Sequence, residues 1–230
     1  MDLVMDFQYK YELHLHTKEG SACASLDGAA QARLYKSLGY DGVFITDHFF
    51  GGNTAVPRNL PWEQRIHLFC EGYRHAKEEG DRIRLKVFFG LETGFSGTEF
   101  LIYGVTEEWL AAQTDMMSWS IEEQYEHVHA AGGLVIHAHP FREASYIPQI
   151  LLYPEHVDGV EVYNVENDRR DPKFNERALE YARKHHLPMT GGGDAHHQNS
   201  CHGGIITEHP IESVEAFMEL IRKGTEYQFI

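Results

Sequence analysis

The chain has 230 residues, of which 35 are acidic and 20 basic, giving a formal net charge of −15. That length fits a single domain, and 42% hydrophobic with 24% charged residues excludes a disordered chain. The acidity argues against a surface for long nucleic acids or anionic membranes, since both need clustered Lys and Arg.

In chain order, residues 9–16 read as a strand, and residues 27–38 have helical spacing that stops at Gly39. Residues 43–46 are a second strand, and residues 61–80 read as one long helix with Pro61 near its first turn. Residues 84–91 and 100–105 are strands facing each other across Ser96-Gly97, as in a hairpin. A Ser120-x-x-Glu123 capping box opens a helix over 120–131, which Gly132-Gly133 closes. Strands at 134–137 and 157–162, a helix at 172–186, short strands at 189–191 and 205–206, and a helix at 213–223 complete the pattern. Alternating strands and helices in so short a chain predict a compact α/β barrel, with an open doubly wound sheet as the alternative. No GxGxxG or GxxxxGK[ST] follows a strand, so nucleotide-loop chemistry has no support.

The three cysteines, Cys23, Cys70 and Cys201, are far apart and form no CxxC pair, which fits a reducing cytosol. No apolar run reaches the ~18 residues of a membrane span. Residues 1–9 lack the pattern of a secretory leader, so the chain reads as soluble and cytoplasmic.

The unusual number is sixteen histidines. Eight of them, His14, His16, His48, His137, His139, His196, His197 and His202, fall at or just beyond the expected strand ends. In parallel β/α folds that rim binds ligands. Period-2 geometry turns His14 and His16 to one face, and the pair His137/His139 repeats the pattern. Glu92 and Asp194 stand at the same rim, and Asp47 is placed to orient the His48 imidazole. Mixed imidazole and carboxylate donors suit Zn²⁺, Mn²⁺ or Fe²⁺, and their number points to two or three ions per chain. The remaining histidines lie on helices or in loops, where solvated positions account for them.

Tyr11-Glu-Leu-His-Leu-His-Thr17, Ile45-Thr-Asp-His48, Gly90-Leu-Glu92, His139-Pro140 and Gly193-Asp-Ala-His196 occur in the order found in the polymerase-and-histidinol-phosphatase (PHP) family. Gly159-Val-Glu-Val-Tyr-Asn164 also resembles that family's strand before the last motif, so the resemblance runs from about residue 11 to 204. It implies a distorted (β/α)7 barrel with a trinuclear metal centre in one catalytic domain over residues 1–230. Carried over, His14, His16 and Asp194 would bind one ion, with Glu92 bridging to a second ion held by His139. His48 and His196 would hold a third. Two positions depart from the family pattern. Glu99 stands near the place of a histidine of the second ion, and Glu19 is the candidate from the loop that supplies the third.

The activity implied is hydrolysis of a small phosphorylated substrate, a phosphate monoester, by metal-activated water. His197 and His202 are candidates for the acid that protonates the leaving group. Arg142 is a candidate to bind a phosphate oxygen bidentately. Asn164, Arg169 and Arg170 are further candidates around substrate. A phosphodiesterase or nuclease, an amidohydrolase-like enzyme and a non-catalytic metal-binding module are the competing readings. Amidohydrolases lead one to expect a bridging lysine where this chain has Glu92.

Overall fold

A computed structural model describes residues 7–200 and 202–230; Cys201 and residues 1–6 of the segment read for a leader lie outside them. Nine strands form one sheet in the order β7-β6-β5-β4-β3-β2-β1-β8-β9. These are β1 (Tyr9–Leu15), β2 (Gly42–Ile45), β3 (Lys86–Phe95), β4 (Thr98–Tyr103), β5 (Leu134–Ala138), β6 (Gly159–Asn164), β7 (Met189–Gly192), β8 (Ile205–Thr207) and β9 (Tyr227–Phe229). The sheet curls until β7 returns to β1, where a bridge pairs Leu15 with Ala195 and His16 N–H donates to Ala195 O at 3.1 Å. Seven staves thus make a nearly closed α/β barrel, as expected, and β8 and β9 extend it antiparallel outside β1.

The distortion has a local cause. β3 and β4 are joined by the expected hairpin at Ser96-Gly97, where φ is 53° and 94°. No helix can cross over in so short a turn, so β4 runs antiparallel to both β3 and β5. The other stave pairs are parallel.

Helices cover the outside: α1 (Gly28–Ser37), α2 (Trp62–Phe69), α3 (Glu71–Ile83), α4 (Glu107–Ala112), α5 (Ile121–Ala130), α6 (Val165–Arg170), α7 (Lys173–His185) and α8 (Val214–Lys223). The capping box at Ser120 and Glu123 forms as read from the sequence. The single helix expected over 61–80 is instead two, divided at Cys70. Packing decides this: a Cβ on Gly28 would lie 1.9 Å from Gly72 O, so α1 and α3 touch backbone to backbone. α3 takes that direction, whereas α2 packs toward α4, with Trp62 Nε1 donating to Leu110 O at 3.0 Å.

The barrel interior is filled at one end by aromatic and aliphatic side chains. Phe44 of β2 packs edge-on 5.2 Å from Tyr103 of β4 and tilted 4.3 Å from Phe217 of α8, and Leu101, Leu134 and Ile136 join them. Tyr103 Oη reaches across to Leu13 O at 2.9 Å. This plug leaves polar side chains only the opposite end, where β1, β2, β5 and β7 terminate. Among the described residues no helix is long and apolar enough to cross a membrane.

Candidate metal centre

β1 delivers the first two donors. His14 and His16 are fully buried and their ring centroids lie 5.1 Å apart. Each has its outward nitrogen fixed. His14 Nδ1 meets Glu161 Oε1 at 2.9 Å, and His16 Nδ1 meets the Ser21 hydroxyl at 3.0 Å. An ionised carboxylate only accepts, so His14 Nδ1 carries the proton. The Ser21 hydroxyl donates to Asp47 Oδ1 at 2.7 Å, so it accepts from His16. Both Nε2 lone pairs therefore point into the barrel mouth.

Carboxylates meet them there. Glu92 Oε1 faces His14 Nε2 at 3.4 Å and His139 Nε2 at 3.0 Å. Glu92 Oε2 faces His16 Nε2 at 3.6 Å and His48 Nδ1 at 2.6 Å. One carboxylate is shared between two pairs of rings, as a bridging ligand requires. Asp194 Oδ1 lies 3.2 Å from His16 Nε2 and 3.6 Å from His14 Nε2. Burial works to raise the pKa of both carboxyls, but His48 and His14 hold Glu92 well below its usual value, and Arg142 and His14 do so for Asp194. Burial likewise disfavours charge on His14, yet Glu161, Asp194 and Glu92 outweigh it and raise its pKa well above the usual value. A cation would compete with that proton for Nε2.

The backbone aims two of these groups. His139 and Asp194 sit just past their strands with φ of 29° and 54°, which non-glycine residues rarely adopt. Four tight donor groups result: His14/His16/Glu92, His14/His139/Asp194, His16/His48/His196 and His48/Glu92/Glu99. His14 Nε2, His16 Nε2 and Glu92 Oε2 are buried and hydrogen-bond to nothing in the protein. Left so, each costs about 1–3 kcal/mol. Divalent ions between them would satisfy all three, and imidazole with carboxylate is a donor set that Zn²⁺, Mn²⁺ and Fe²⁺ accept. The residues fit a metal centre.

The cluster gathers eight of the residues singled out in the sequence: His14, His16, His48, Glu92, Glu99, His139, Asp194 and His196. Glu19 is a correction. Its carboxylate accepts from Gly28 N–H at 3.2 Å and pairs with His75 at 2.9 Å, because the N-terminus of α1 attracts it. His202 is another, packing edge-on against Tyr35 at 5.0 Å. Arg142 is buried, but its Nε and Nη2 serve Asn167, Asn164 and Asp194, so that edge of the guanidinium holds a carboxylate in place rather than meeting substrate. Asp47 binds Thr17 N–H at 2.6 Å and Ser21, so it orients His16 through the serine and not His48. His137 stacks on Phe100 at 5.0 Å, outside the cluster. His197 is exposed at the rim, 3.1 Å from the Ser25 hydroxyl.

Sequence reasoning missed four residues. Glu161 accepts from His14 Nδ1, His139 N–H at 3.0 Å and Asn164 Nδ2 at 3.0 Å, joining three strand ends. Its signal was available: a lone acid between Val160 and Val162, whose side chains pack outward with α7 residues. Glu12 accepts from the backbone of His14, Gly193 and Gly203 and from Tyr35 Oη, and burial raises its pKa to about 7 against those bonds. Ser21 links Asp47 to His16. Cys23 lies within hydrogen-bonding reach of His196 and His48; burial opposes its ionisation, but the two rings prevail and lower its pKa to about 6.

A cavity of about 890 Å³ opens over the cluster, lined by His48, Glu99, Asp194 and His196 and by Cys23, Tyr146, Arg169, Arg170, His197 and Asn199. Arg169 and Arg170 already pair with Glu166 at 3.3 and 3.1 Å. A cavity of about 820 Å³ between α3, β3 and the start of α8 is lined by none of these donors, and its Lys86 pairs with Glu212 at 2.6 Å.

Residues 172–226 match the PHP-associated family, a segment that includes β7 and the Asp194-Ala-His196 motif. No curated protein matches the sequence. Among solved structures, a two-domain protein from Bacteroides vulgatus, containing a predicted PHP-like metal-dependent phosphoesterase, aligns at TM-score 0.69 and 12% identity over 96% of this chain. This chain spans 64% of that protein's length. A Bifidobacterium adolescentis protein inferred to be a metal-dependent phosphoesterase aligns at TM-score 0.61 and 17% identity, covering 93% of this chain and 96% of its own. An amidohydrolase from Chromobacterium violaceum, with bound sulfate and no metal, aligns at TM-score 0.57 and 13% identity, covering 83% and 88%. At these identities the likeness is one of fold, and with the matched segment it bears out the resemblance read from the motifs.

Proposed function

We propose that this chain, a member of the PHP family by its motifs, its C-terminal segment and its fold, hydrolyses a small phosphate monoester through a centre of two or three divalent ions. The observation that carries this reading is the convergence of His14 Nε2, His16 Nε2 and Glu92 Oε2, buried and without a hydrogen bond in the protein, behind Asp194, His48 and His196, which line an open cavity. Ions held by these groups would polarise phosphoryl oxygens and bring a water's pKa toward neutrality. The chain's own residues supply the rest. Glu161 and Ser21 fix the two β1 rings, so their lone pairs are presented without reorganisation. Arg142 holds Asp194 against the site and offsets one of its buried negative charges. His197, exposed at the rim beside Ser25 and lining the cavity, is the candidate to hand a proton to a leaving alkoxide. The cavity size admits a metabolite-sized ester.

The test is turnover of p-nitrophenyl phosphate against bis-p-nitrophenyl phosphate by protein loaded with Mn²⁺, Zn²⁺ or Fe²⁺, followed by a panel of phosphorylated metabolites. Release from the monoester supports the reading. Turnover of the diester alone would replace it with a phosphodiesterase.

A further inference from the structure

The loop between β1 and α1 carries one side chain that the reading above leaves unused. Either side of Cys23 the backbone is pinned: Ala22 N–H donates to Asn53 O at 2.9 Å, and Ser25 N–H donates to His196 O at 2.8 Å. Cys23 lines the same cavity as His48 and His196, with its thiol in reach of both rings.

Those two rings present their Nε2 atoms to each other at 3.4 Å. His196 Nδ1 donates to Asp194 O at 2.8 Å, and His48 Nδ1 faces Glu92 Oε2 at 2.6 Å. His196 Nε2 thus presents a lone pair to His48, and two ring nitrogens this close need a proton or a metal ion between them. A tetrahedral zinc with Zn–N bonds of 2.0–2.1 Å would set its two nitrogen ligands roughly 3.4 Å apart. His16 Nε2, fully buried and without a hydrogen bond, belongs to the same group of rings.

We infer that Cys23 Sγ joins His48 Nε2 and His196 Nε2 as the third protein ligand of one ion, making that position a Cys-His₂ site for a thiophilic divalent metal. The inference rests on the reading of this cluster as a metal centre. It gives the third position a ligand in place of Glu19, which is turned toward α1. It also divides the centre by chemistry. The positions built from His14, His16, His139, Glu92 and Asp194 offer nitrogen and oxygen, which several ions accept. The position with sulfur selects Zn²⁺ or Co²⁺ over Mg²⁺ and Mn²⁺, and its three protein ligands leave a coordination place open toward the cavity.

Cobalt is the probe. Chelator-stripped wild-type chain is titrated with Co²⁺ under reducing conditions, and absorption and bound cobalt per chain are recorded. The expected result is a near-ultraviolet sulfur-to-cobalt charge-transfer band, absent in Cys23→Ser with loss of one cobalt per chain. The band should persist in Cys70→Ser, Cys201→Ser and His14→Ala, the last losing an ion from the oxygen-rich side. In unmutated protein, Zn²⁺ should protect Cys23 from iodoacetamide, which covers the case of a variant that folds poorly. Cobalt bound without the band, or a band that survives Cys23→Ser, would overturn the inference while leaving the metal centre standing. Failure of Co²⁺ to bind at all would overturn both.

Discussion

The chain writes the same tripeptide pattern twice, His14-Leu-His16 and His137-Ala-His139, and the two copies do different things. In the first, both rings enter the cluster. In the second only His139 does, while His137 stacks on Phe100 with neither nitrogen hydrogen-bonded within the protein. The difference lies in the backbone. His139 follows the end of β5 with φ at 29°, so the alternation that would pair it with His137 has already stopped. His16 also follows its strand, but its N–H donates to Ala195 O just beyond β7, and its ring stays beside that of His14. A period-2 argument holds only as long as the extended backbone it assumes.

Substitutions can break or sharpen this comparison. His14→Ala should lose at least one bound ion and lower phosphatase turnover by more than about 100-fold, beyond the range for groups that merely orient ligands. His137→Leu should leave metal content and turnover unchanged in the same assays. Arg142→Ala strips a buried carboxylate of its cation and should cost about 3–5 kcal/mol in denaturant unfolding of the metal-free chain. Glu161→Gln strikes both tripeptides at once, since Glu161 fixes His14 Nδ1 and His139 N–H. It should weaken metal affinity about 10–100-fold by isothermal titration. In stability, His137→Leu is the gentlest: a buried imidazole without partners is replaced by an apolar group, so Tm should hold or rise slightly.

A pH effect separates Glu12 from the ligands it supports. Its pKa is raised to about 7 in the folded chain, above the value of about 4.3 expected unfolded. The native state therefore binds more protons between these values, and Glu12's contribution to stability falls as pH rises through that window. Glu12→Gln should remove this slope from unfolding measured in chelator, relative to wild type. An unchanged slope would mean that the hydrogen bonds from Gly193, Gly203 and Tyr35 already keep Glu12 ionised.

The sequence made the barrel, the hairpin and eight cluster residues legible because each rests on a short-range signal. Strand alternation, the Ser96-Gly97 turn and the position of a histidine just past an apolar run are all local. What stayed hidden depends on which elements meet. The division of α2 from α3 follows from the contact of Gly28 with Gly72, and Glu161 matters because β6 brings it to His14 on β1, 147 residues away in sequence. Glu19 misled for the same reason: it has the right chemistry in the right loop, but the α1 N-terminus takes it. Cys23 was set aside as an isolated cysteine until the fold put His48 and His196 beside it.

Metal content tests the account most directly. Bound Zn, Mn and Fe should be counted per chain by elemental analysis in wild type, His14→Ala and His137→Leu, each loaded identically after chelation. The account predicts two or three ions in wild type and in His137→Leu, and fewer in His14→Ala. Less than one ion per wild-type chain, or equal losses in the two variants, would contradict it.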